Sequence, residues 1–169
     1  MSGRVFILMG VSGSGKTAVG KRLAERTGAS LVDGDFLHPR ANVLKMAAGE
    51  PLDDEDRAPW LERVSDAIFA MGNVDGVSLL VCSALKRRYR DRLRQGNEGL
   101  VFLYLKGGRD LVAERMAGRS GHFFKRGMLV SQFEALEEPE EDEKDVIVID
   151  IDQPLDGVVE EIMARTGIC

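Results

Sequence analysis

An α/β domain with a doubly wound parallel sheet is the fold class this sequence predicts, and three observations carry the prediction. Four short runs rich in Val, Ile, Leu and Phe, at residues 5–9, 77–82, 101–105 and 146–149, show no polar alternation, as strands buried on both faces do. Helical patterns separate them in strict succession, which implies right-handed crossovers and ligands at the carboxyl ends of the strands. A glycine-rich loop follows the first run directly.

Taken in order, the first strand at 5–9 runs into that loop, and a helix at 16–26 turns Val19, Leu23 and Ala24 inward before Gly28 stops it. Residues 29–32 form a weaker fifth strand candidate. The pattern at 59–71 starts with Pro59, suited to a first helical turn, repeats Leu61, Val64, Ile68 and Met71, and ends at Gly72. Helices at 86–94, 110–117, 128–136 and 155–165 complete the series. The acidic stretch 137–145 around Pro139 reads as an exposed loop.

With 169 residues, of which 44% are hydrophobic and 30% charged, the chain suits one core and excludes general disorder. One domain over residues 1–169 is expected. Its 23 basic and 28 acidic residues leave a net charge of −5, which argues against nucleic acid or anionic membrane as a partner and confines any anion site to a local patch. Cys82 and Cys169 cannot build a disulfide framework, and with His38 and His122 they show no zinc-type spacing. The first apolar run is too short to span a bilayer and lacks the flanks of a signal peptide, so a cytoplasmic location is expected.

The loop Gly10-Val11-Ser12-Gly13-Ser14-Gly15-Lys16-Thr17 fits G-x-x-x-x-G-K-[ST] between a strand and a helix, a phosphate-binding loop (P-loop) in the context it requires. Its glycines let successive N–H groups face one anion, Lys16 reaches the β/γ-phosphates, and Thr17 offers a hydroxyl to Mg2+. No acid ends the strand at 77–81, so the carboxylates of Asp33-Gly34-Asp35, at the end of the second strand, are the nearest to the loop. Asp33 is the expected contact to hydrated Mg2+, and Asp35 the base that takes a proton from an acceptor hydroxyl.

Further segments accompany the loop: Asp33-Gly34-Asp35-Phe36-Leu37-His38-Pro39, Gly49-Glu50-Pro51-Leu52, Asp56-Arg57, Pro59-Trp60-Leu61, Cys82-Ser83-Ala84-Leu85-Lys86 and Gly121-His122-Phe123-Phe124. Together, in this order, they resemble the gluconate kinases (gluconokinases). The resemblance implies a homodimeric cytoplasmic enzyme of the shikimate-kinase and adenylate-kinase type, with strand order 2-3-1-4-5, moving phosphate from ATP to the 6-hydroxyl of D-gluconate. Shikimate or nucleoside monophosphate kinase is the neighbouring alternative, although the Cys82 to Lys86 segment resembles neither of their substrate regions. A nucleotide-dependent switch is the alternative of another class.

A polyhydroxy acid calls for a planar cation and several hydrogen-bonding side chains; Arg57, His38, Ser83, Lys86 and Arg87 are the candidates, with His122 in the segment implied by the resemblance. Blander roles are an ion pair with Asp53, Asp54 or Asp56 for Arg57, packing on Pro39 for His38, a core anchor for Trp60, and a solvated face for the six basic residues of 86–94. Residues 118–128, basic and flanked by glycines, read as a lid with Gly121 and Gly127 as hinges. Arg119, then Arg115, is expected to meet charge on the transferred phosphoryl, the bland reading being compensation of a helix C-terminus. Related small kinases place the segment around Pro154 beside the adenine.

Overall fold

A computed structural model describes residues 3–117 and 126–169. Among them, five parallel strands form one sheet: β1 Gly3–Met9, β2 Ser30–Asp33, β3 Gly76–Val81, β4 Val101–Lys106 and β5 Val146–Asp150, in the order β2-β3-β1-β4-β5. This is the order expected. The helices are α1 Lys16–Thr27, α2 Arg40–Ala47, α3 Asp54–Gly72, α4 Arg87–Arg94, α5 Arg109–Ala117, α6 Arg126–Ala135 and α7 Leu155–Thr166, with a 3-10 turn at Gly34–Leu37.

Both faces of β1 are buried, which is why its sequence lacks alternation. Phe6 and Leu8 pack with Val19 and Leu23 of α1 and Val158 and Ile162 of α7. Val5, Ile7 and Met9 pack with Trp60, Val64 and Ile68 of α3 and Leu93 of α4. Sheet order and crossovers therefore bring the carboxyl ends of β1, β2 and β3 to one edge of the molecule.

Two expectations are corrected, and one helix had no counterpart among them. The helix expected from Pro59 begins five residues earlier: Asp53 caps it, its side chain accepting from Asp56 N while Asp56 accepts from Asp53 N. That reciprocal box fixes the start, and Pro59 stands inside the helix. α2 was invisible to periodicity, because its only buried residue is Asn42 while Val43, Leu44 and Met46 are exposed.

The second correction concerns the basic run, which is neutralised by acids of α3 and of the 137–145 stretch, itself the loop expected, mostly exposed with Glu143 buried. Arg87 pairs with Asp142 at 2.5 Å and Glu140 at 3.3 Å, Arg92 with Glu62 at 2.5 Å, and Arg94 with Asp145 at 2.7 Å. Arg90 is fully buried and forks onto Glu143 at 2.7 and 3.0 Å. Among the described residues no helix is long and apolar enough to cross a membrane.

Candidate active site

After Met9 the chain turns through Gly10, Gly13 and Gly15 with φ of 147°, 83° and 97°, backbone that side chains with a Cβ seldom adopt. Gly15 is the N-cap of α1 and brings no side-chain cap, so the first N–H groups of the helix are open to an anion. Lys16 Nζ donates to the carbonyls of Gly10 and Val11, each at 2.9 Å. Burial lowers its ammonium to about 8, against the opposing pull of Asp35, Cys82 and Asp33.

Ser14 Oγ is buried with no hydrogen-bond partner, an orphaned donor in the floor of the loop that a phosphate oxygen would satisfy. The loop residues thus fit the polyphosphate that the motif implies. Gln132 of α6, which sequence reasoning missed, accepts from Ser12 N at 3.1 Å and Ser12 Oγ at 3.3 Å. No local motif announces a contact across 120 residues. Thr17 lies exposed beside the loop.

From the loop a groove of about 240 Å³ opens between Gly13, Gly15, Ala18, Arg115, Gln153 and Pro154. Arg115 donates to Gln153 O at 3.1 Å. The structure therefore brings Arg115 and Pro154 together beside the phosphate loop.

On the other side stands the turn after β2. Asp33 accepts from Asp35 N at 3.0 Å, an Asx-type cap that tightens the turn. Gly34 is required there, because a Cβ would overlap Val81 O of β3. Asp35 is exposed. Its carboxyl lies above the usual range through loss of surrounding water, then through the Asp33 charge, with Lys16 pulling the other way. Trp60 is buried, donates from Nε1 to Gly34 O at 2.8 Å, and stacks on His38 with ring centroids 4.5 Å apart. It is a core anchor that also holds this turn.

The acids expected to pair with Arg57 are engaged elsewhere. Lys45 takes Asp56 at 2.6 Å; Asp54 accepts from Tyr89 and Arg88 and meets Lys86 at 3.4 Å. Among the described residues Arg57 has no carboxylate partner. Its guanidinium lies over the Tyr89 ring at 5.9 Å and donates to Tyr89 Oη at 3.4 Å. Lys86 lies 5.7 Å from that ring, so Arg57 and Lys86 meet at Tyr89, a residue the sequence reading did not single out. Arg87, by contrast, is committed to Asp142 and Glu140.

Ser83 belongs to the turn after β3 and accepts from Gly10 N at 3.2 Å, which joins the two loops. Next to it Ala84 has φ 45°, a left-handed conformation costing a residue with a Cβ roughly 1–2 kcal/mol. Arg90 restrains this turn by donating to Ala84 O at 2.9 Å and Leu85 O at 3.3 Å. Burial would raise Glu143, but hydrogen bonds from Arg90, Arg94 and the Glu140 N–H hold it at about 2. The buried pair is thus a charged frame under the turn.

Arg119, Gly121 and His122 lie outside the described residues, and Gly127, expected as a hinge, is within α6.

The family model for shikimate kinase matches residues 12–166. The thermoresistant gluconokinase of Escherichia coli K12 is 60% identical over 155 residues, 92% of this chain and 89% of that protein. The chain belongs to the gluconokinase family. The thermosensitive gluconokinase of the same strain is 48% identical over 95% of this chain and 86% of its own length. A gluconokinase structure from Sinorhizobium meliloti 1021 superposes with TM-score 0.85 at 43% identity, covering 96% of this chain and 90% of that one. The kinase fold and the P-loop of this gluconokinase-family chain thus stand together with the sheet order.

Proposed function

We propose that this chain transfers the γ-phosphoryl group of ATP to the 6-hydroxyl of D-gluconate, giving 6-phospho-D-gluconate and ADP. The observation that carries the reading is the phosphate loop itself, with Lys16 on the Gly10 and Val11 carbonyls and Ser14 Oγ unpartnered, next to an exposed Asp35 whose charge Lys16 feels. It sets a carboxylate with raised proton affinity beside the site of a triphosphate. The hydroxyl oxygen attacks the γ-phosphorus as its proton passes to Asp35, and the bond to the ADP oxygen breaks. Family membership supports the sugar acid as acceptor.

In this reading Arg57 holds the carboxylate of the substrate, with Lys86 beside it, and His38 and Ser83 meet its hydroxyls. Arg87 is left out, its charge being neutralised. Thr17 and the Asp33 oxygen not used by the turn are the residues that would hold Mg2+. Mg2+ in such sites is bound by one or two side chains, substrate phosphates and water. When bound, Mg2+ neutralises charge on the phosphates.

The proposal includes one kinase domain over 1–169, a lid at about 118–128 carrying Arg119 and His122, a homodimeric state and a cytoplasmic location, all supported by the family resemblance. Small molecules, rather than nucleic acid or membrane, are its partners, in line with the net charge of −5.

The deciding experiment measures ADP release with ATP and Mg2+ across gluconate, other sugar acids, shikimate and nucleoside monophosphates, with the product's phosphate located by NMR. A signal specific to gluconate, with phosphate on carbon 6, is expected. Equal signals across the acids, or phosphate elsewhere on the chain, would overturn the assignment.

A further inference from the structure

The side-chain amide of Asn42 lies between the first turn of α3 and the ring of His38. Asn42 is 3% exposed and is the buried residue of α2. Its Nδ2 donates to Asp56 O in the first turn of α3 at 2.8 Å and lies 3.1 Å from His38 Nδ1. A backbone carbonyl can only accept, so the nitrogen of the amide, not its oxygen, must face Asp56. An amide nitrogen has two hydrogens. One serves Asp56 O, and the other points at the ring. His38 Nδ1 must then offer its lone pair, which leaves the ring proton on Nε2.

The ring is fixed by stacking on Trp60, with planes 13° apart. Burial and the Arg57 charge both disfavour the imidazolium. Beyond the amide lies the Lys45–Asp56 pair, whose charges offset each other. Among the described residues Nε2 has no hydrogen-bond partner, although the residue is half-buried at the mouth of β2.

We propose that Asn42 is a positioning residue that holds His38 as a neutral Nε2–H donor to a hydroxyl of the acceptor acid, leaving recognition of the carboxylate to Arg57. This rests on the functional reading above and assigns separate tasks within it. A neutral donor serves an alcohol without placing a second full positive charge in the site, so the net charge that selects the carboxylate stays with Arg57. A histidinium there would compete with Arg57 for the same carboxylate.

The test starts with the wild type. The chain has two histidines, so nitrogen-15 NMR of the rings, with His38→Gln for assignment, reads the tautomer directly. The expected spectrum at neutral pH shows His38 protonated on Nε2 only, and gluconate shifts Nε2 while leaving Nδ1 in place. A proton on Nδ1, or an unshifted Nε2 under saturating gluconate, overturns the proposal whether or not any variant folds.

In Asn42→Asp the carboxylate can only accept, which puts a proton on Nδ1, and the assay is run at a pH where the nitrogen-15 spectrum shows Nε2 without one. KM for gluconate should then rise ~10-fold or more, the size of one hydrogen bond lost in a polar site, while KM for ATP changes less than about twofold. A gluconate KM unchanged in a folded Asn42→Asp enzyme overturns the proposal. If the wild type does not phosphorylate gluconate, the functional reading fails and the ligand named here with it, but the ring spectrum still decides the tautomer.

Discussion

The two sides of the cleft are built from different material. The phosphate side is main chain: three glycines with positive φ, the open first turn of α1, and one lysine. All of it comes from eight consecutive residues. The acceptor side is side chain: Asp35 after β2, His38 before α2, Arg57 in α3, Lys86 before α4, and a frame from α4 to the acidic loop that holds the turn after β3. A phosphate is the same in every nucleotide, so fixed amide dipoles serve it. A particular acid must be told from its neighbours, which takes hydrogen-bonding groups placed one by one.

Substitutions can break or sharpen that contrast. The largest effect is expected from Asp35→Asn, which should lower turnover roughly 10³-fold through loss of the base while ATP affinity, from nucleotide titration, stays within about twofold. A parallel loss of ATP affinity would merge the two sides into one unit.

Next comes the frame. Glu143 sits at about 2 in the fold against 4.5 ordinarily. A depressed carboxylate contributes stability that is fully present above its unfolded value and lost as pH falls from about 4.5 through 2. Its share is about 3 kcal/mol. Urea unfolding of Glu143→Gln should show roughly that deficit at pH 7, and a flatter acid limb than wild type.

Arg57→Gln should raise the gluconate KM roughly 10- to 100-fold, as loss of a charge-assisted bond does, with KM for ATP unmoved in the same steady-state assay. The smallest of the four is Gly13→Ala. Its φ of 83° is costly for a side chain and the new methyl would overlap Met116 Sδ. ATP affinity should fall ~5- to 30-fold, measured by calorimetry, with gluconate binding intact.

Legibility in the sequence divides along the same line. The strands at 5–9, 77–82, 101–105 and 146–149 were readable because burial on both faces leaves a continuous apolar run, and the phosphate loop because its geometry demands glycine at fixed steps. α2 was not readable: it buries one asparagine and presents its apolar residues to solvent, the reverse of the usual pattern. From sequence Arg90 reads as part of a solvated face, since nothing within its own helix shows that Glu143 arrives 53 residues later to neutralise it.

By itself, the sequence determined the sheet, its order through family resemblance, the anion cradle, and the identity of Asp35, His38 and Arg57 as candidates. Each is a local signal or a matched motif. Only the tertiary structure decided that Arg57 lacks an acid partner among the described residues, that Arg87 pairs with Asp142, Glu140 and Asp91, that Gln132 grips Ser12, and that the Asn42 amide lies between Asp56 O and His38 Nδ1. Those outcomes depend on hydrogen-bond partners many residues apart, and a donor's capacity is known only when everything competing for it is in place.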